Sequence, residues 1–159
     1  MLSKIDLTKI VKDHLSTLKH HGEKRKSKSD IFLFYGTPII LLSIVLFKNF
    51  TFTEEQINIL ITVFSIFTGL LLNLLLLIYD IVLKISSPKL KEQFLKEIYS
   101  NISYTILLAI VIIILLFISC VNSNFILSSL AVALILQFVL TLLMILKRVH
   151  ILLSKEING

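Results

Sequence analysis

The chain has 159 residues, 56% of them hydrophobic, a mean hydropathy of +0.93 and a net charge of +6. So apolar a composition excludes an ordinary soluble domain, and the single cysteine, Cys120, excludes a disulfide framework. The positive balance is not a nucleic-acid signature, because cations beside a membrane follow from topology and from attraction to anionic headgroups.

The first 30 residues are polar and carry no central apolar stretch, so no cleavable signal peptide is expected. Within them, Leu7, Ile10, Val11, Leu15 and Leu18 recur at helical spacing, while Lys4, Lys9, Lys12, Asp13 and Ser16 fall elsewhere. This predicts an amphipathic helix over 3–21, opened by a Ser3/Asp6 capping box and stopped at Gly22. Such a helix is expected to lie in the headgroup plane, apolar face down; packing on a partner or on the protein's own subunits is the alternative. A polybasic hinge follows, in which Lys24, Arg25, Lys26 and Lys28 are the expected anionic-lipid contacts, each contributing on the order of 1 kcal/mol near an acidic leaflet.

Four apolar runs come next, at about 31–47, 57–78, 102–118 and 125–146. A helix needs about 20 apolar residues to cross a ~30 Å hydrocarbon core, with a usual range of about 17–25. All four fit, and none shows the alternation of a barrel strand. The fold expected is therefore all-α, a four-transmembrane-helix bundle. It divides into a cytoplasmic segment 1–29, a membrane domain 30–147 and a tail 148–159. Gly36-Thr37-Pro38 places a proline bend in the first run, which is read as an uncleaved signal anchor. The short connection 48–56 predicts a tight hairpin of runs one and two. Ser87-Pro88 starts a helix in the favoured way, and no breaker separates it from run three. Leu90, Phe94 and Ile98 then share a face, with Glu92 and Lys96 a supporting pair. Residues 121–124 read as a tight polar turn.

All but one of the 16 Lys and Arg residues, the exception being Lys48, lie on one side of these runs. The positive-inside rule then places both termini and the 82–100 connection in the cytoplasm. A Lys- and Ile-rich, Trp-free composition fits a bacterial inner membrane, where the Asn49-Phe50-Thr51 sequon carries no glycan.

Two polar stripes interrupt the apolar runs. Asn58, Thr62, Ser65, Gly69 and Asn73 occupy one face of run two, with Asp80 beyond, and Ser129, Ala133, Gln137 and Thr141 one face of run four. Small residues four apart let helices approach closely, so the stripes either pack helices, within or between copies, or line a wet path through an oligomer. No ionisable side chain sits centrally in any run, which disfavours a proton-coupled or charged-substrate transporter. His14, His20, His21, His150 and Cys120 form no metal-ligand pattern, and no catalytic motif is present. No enzyme activity, cofactor, metal or direct nucleic-acid binding is expected.

The stretch 59–80, ILITVFSIFTGLLLNLLLLIYD, resembles a segment of small bacterial proteins similar to the four-pass membrane subunits of phage-defence systems, such as the membrane component of the Kiwa system. The resemblance implies a membrane-bound oligomer that works with a cytoplasmic protein partner and senses or disturbs the envelope during infection. The function expected is thus a non-catalytic homo-oligomeric membrane subunit, with a pore-forming effector and a small transporter as alternatives.

Overall fold

The structure, a computed structural model, describes residues 7–17, 32–84, 89–122 and 124–157. The polybasic hinge, the Ser3/Asp6 box, Leu18, Gly22 and Ser87-Pro88 lie outside the described residues. Five α-helices are present: α1 (Thr8–Thr17), α2 (Thr37–Phe47), α3 (Glu54–Lys84), α4 (Lys89–Val121) and α5 (Phe125–Ile157). A π-helical turn, Phe32–Gly36, leads into α2. The chain is all-helical, and three of its segments are long and apolar enough to cross a membrane: Glu54–Asp80, Leu95–Val121 and Phe125–Ile151. Phe32–Phe47 is a shorter apolar helix. The chain therefore has the character of a multi-pass membrane protein.

Local chemistry sets the helix ends. Pro38 sits in the first turn of α2, where its missing N–H is tolerated, and the π turn before it absorbs the disturbance expected of a proline. Helix α2 ends in a Schellman motif: Asn49 adopts a left-handed φ of 49°, its N–H reaches Leu46 O at 3.1 Å, and the Phe50 N–H reaches Val45 O at 3.4 Å. A reciprocal capping box opens α3. The Thr53 N–H donates to Gln56 Oε1 at 3.0 Å, and the Gln56 N–H donates to Thr53 Oγ1 at 3.3 Å. Glu54 and Glu55 then sit in the first turn, where the helix dipole favours negative charge. The Asn124 side chain caps α5 through the Ile126 N–H at 2.9 Å.

Helix α4 is the centre of the bundle and packs against α3, α5 and α1, while α2 packs against α5. Its buried positions step three and four apart through Leu95, Ile98, Ile102, Thr105, Ala109, Ile112 and Leu116. Ile57, Phe64, Leu71 and Ile78 of α3 recur every seven residues, as do Ala131, Phe138 and Ile145 of α5. These are the seams of coiled-coil-like packing. Phe138 sits between α3 rings, 4.9 Å from the Phe64 centroid and 5.7 Å from that of Phe67, both edge-on.

One expectation changes. Runs one and two are joined by a short connection but do not form a packed hairpin: among the described residues α2 lies on α5, not on α3. Helix α5 passes 147–148 without a break and ends at Ile157. The N-terminal helix docks on α4 through a face centred on His14 and Thr17, both buried. Leu7 stays exposed, and Val11 and Leu15 are only half-buried. The continuous helix expected after Pro88 is present as α4.

Candidate functional site

The two polar stripes part company. Asn58, Thr62, Ser65, Gly69 and Asn73 all point out of the bundle, and so does Asp80. Ser129, Ala133, Gln137 and Thr141 are buried inside it. The reason is position in the bundle. Helix α5 is wedged between α4 and α2, so its stripe meets protein within the chain. Helix α3 touches the bundle along one seam, and its stripe lies off that seam. A Cβ built on Gly69 would meet nothing within 4 Å.

The hydroxyls of both stripes return to their own helices. Thr62 donates to Asn58 O at 2.9 Å and Ser65 to Ile61 O at 2.8 Å. Ser129 donates to Phe125 O at 2.7 Å and Thr141 to Gln137 O at 2.9 Å. Amides have no such local remedy. Asn73 lies two turns from the Asp80 end of the α3 span with its side chain outward. An unmet polar group at membrane depth costs several kcal/mol, so this face calls for a polar neighbour or water.

A second polar site, not foreseen from the sequence, lies where α1 meets α4 and α5. His14 is fully buried, and its Nδ1–H donates to Asn101 Oδ1 at 2.9 Å. The imidazole stacks on Tyr104, with centroids 3.9 Å apart and rings 5° from parallel. The Thr17 hydroxyl lies 2.7 Å from His14 O and 2.8 Å from Asn101 Oδ1 and shares its proton between them. Arg148 of α5 closes the site: one guanidinium nitrogen pairs with Glu97 of α4 at 2.9 Å, the other donates to Thr17 O at 2.6 Å. The cation thus satisfies a terminal carbonyl of α1 at the negative end of that helix. Burial, and secondarily the Arg148 charge, lower the His14 pKa from 6.5 to about 4, although the Asn101 bond opposes the shift. His14 is therefore neutral at pH 7.

Arg148 was legible in the sequence only as one more cytoplasmic cation. A hint existed: it is one of two arginines among 16 basic residues. Arginine is the residue suited to a fork-shaped contact in a half-buried site. His14 offered none, since it sits on a helix whose apolar face dominates the pattern.

Among the described residues no three His, Cys, Asp or Glu side chains converge as a metal site. Cys120 is exposed at the far end of α4. No protein-family model, curated protein or solved structure matches this chain.

Proposed function

We propose that this chain is a non-catalytic subunit of a membrane assembly, crossing the bilayer four times with both termini in the cytoplasm, and that its copies associate through the outward polar face of α3. The observation that carries this reading is the placement of Asn58, Thr62, Ser65, Gly69 and Asn73 on a face that no other described residue covers. A second copy would supply close backbone approach at Ser65 and Gly69 and amide partners for the asparagines.

Two observations support the fourth crossing. Helix α1 docks beside Glu97 and Arg148, at the end of the bundle where α3 leaves and α4 begins, whereas the α2–α3 connection is at the opposite end. This arrangement supports reading Phe32–Phe47 as a further crossing. It is short for a ~30 Å core, a mismatch that local thinning absorbs at modest cost. Four crossings also collect every basic residue but Lys48 on one side. The bacterial inner membrane is the location that this charge pattern and the composition fit.

The resemblance of 59–80 to membrane subunits of phage-defence systems extends the proposal to anti-phage defence with a cytoplasmic protein partner. Helix α1 and the cytoplasmic turns of α4 are the surfaces offered to it.

The test is cross-linking in membranes. With Cys120→Ser as background, Ser65→Cys should form disulfide-linked dimers, and Gly69→Leu should abolish them. Because a Cβ at position 69 has open space around it among the described residues, a loss reports contacts between copies and not internal damage. A protein that stays monomeric in lipid, indifferent to Gly69→Leu, overturns the reading. The outward asparagines also favour a second reading, a pore formed when several copies gather their α3 faces around an axis. Ion flux into liposomes decides it, with Asn73→Leu as the variant that should block flux; no flux under any condition removes the pore and leaves the assembly standing.

A further inference from the structure

Between α1 and the first turns of α4 lies an open groove of about 830 Å³. It is lined by Lys9, Asp13 and Ser16 on one side and by Lys96, Ser100 and Ser103 on the other. It lies at the polar end of the Leu95–Val121 span: from Ile106 to Ile118 that helix is uninterruptedly apolar, and Tyr99, an interfacial residue type, stands at the rim, so the proposed crossing sets the groove at headgroup level.

The donors available in the groove are specific. Lys9 and Lys96 are both exposed, and neither makes an ion pair among the described residues. Ser16 and Ser103 spend their protons on Asp13 O and Tyr99 O. Ser100 does not: it is 8% exposed, it lines the groove, and its hydroxyl has no hydrogen-bond partner. A buried hydroxyl without a partner is costly unless something else completes it. Charge points the same way. Glu97 is neutralised by Arg148, so the two lysines against Asp13 leave one net positive charge, which matches a singly charged anion.

The geometry points to a binding site for a phosphate monoanion in this groove, held by Lys9, Lys96 and Ser100, with the phosphodiester of an acidic phospholipid as its source from the membrane and inorganic phosphate as the source from solution. The site is distinct from the general attraction of the polybasic segment 24–28, because its donors come from two helices locked together by His14, Asn101 and Arg148. It rests on the membrane crossing proposed above but not on oligomerisation, so a monomeric protein leaves it intact.

The experiment is native mass spectrometry of the full chain in neutral detergent, titrated with phosphatidylglycerol or phosphatidylcholine. The wild type should retain one phosphatidylglycerol per copy in preference to phosphatidylcholine by on the order of tenfold. Lys9→Gln with Lys96→Gln should abolish the preference, and Ser100→Ala should weaken it. Lys24→Gln, Arg25→Gln, Lys26→Gln and Lys28→Gln together should leave it in place. Retention by the Lys9/Lys96 variant, or loss in the polybasic variant, overturns the site. Helical content and thermal midpoint of each variant without lipid check folding, and Lys9→Gln alone, at an exposed position, serves if the double variant is impaired. Millimolar inorganic phosphate separates the sources: displacement of the lipid shows that the site reads the phosphate itself, and persistence shows that it takes the lipid form.

Discussion

Acidification should release α1. His14 has a folded pKa of about 4 against 6.5 in an undocked helix. Its contribution to docking is therefore fully present above pH 6.5 and falls away as the pH drops toward 4. Protonation places a second N–H on a ring whose Nε2 has no partner, against Asn101 and Tyr104 and close to the Arg148 cation. Each pH unit across this window costs about 1.4 kcal/mol. Between pH 7.5 and 5.0 docking should weaken by about 2 kcal/mol, or about 30-fold. Amide hydrogen exchange reads this constant directly, since protection within α1 reports its opening equilibrium. After correction for intrinsic exchange, amides of residues 11–17 should lose about 30-fold in protection over that range, while the bundle core stays constant. His14→Phe keeps a ring against Tyr104 and cannot titrate, so its α1 protection should be flat. If the wild type is flat, or if His14→Phe shows the same loss, the reasoning fails and the carboxylates of the junction govern docking instead.

Other consequences are simpler to state. Arg148→Gln removes the Arg148–Glu97 contact and the donor to the Thr17 carbonyl, and should cost α1 docking about 3 kcal/mol. Arg148→Lys keeps the charge but loses the two-pronged contact and should cost about 1 kcal/mol; both are read by the same exchange experiment. Phe138→Ala removes the ring wedged against Phe64 and Phe67, and should lower stability in detergent by about 3 kcal/mol, measured as a shift in the unfolding midpoint. Cys120, the single cysteine, lies at the end of α4 that the proposed topology places outside, so a membrane-impermeant maleimide should label it in intact cells, whereas Ser154→Cys in a Cys120→Ser background should react only after permeabilisation. The reverse pattern would invert the assigned topology.

The helical class, the membrane character and the charge asymmetry were legible because they depend on composition along one dimension. Twenty apolar residues in a row need no partner to declare themselves, and a lysine declares its side of the membrane wherever its helix packs. The polar stripes were legible for the same reason: a side chain's face on a helix follows from its number alone.

Which stripe faces inward was not legible. In lipid, outward and inward faces are both apolar, so the periodicity that marks a buried face in water is absent. Leu95, Ile98 and Ile102 are buried while Ile110, Ile114 and Phe117 are exposed on the same helix, and nothing in their identities separates them. The docking of α1 is the sharpest case. Its apolar periodicity promised a lipid-facing helix, yet a buried histidine, one asparagine 87 positions away and an arginine 134 positions from that histidine hold it to the bundle. Such contacts exist only once α4 and α5 are side by side. The sequence by itself determined the helical class and the membrane character; the tertiary structure decided which polar groups find each other, because in a medium that rewards burying every apolar face alike, only specific hydrogen bonds and close packing choose the neighbours.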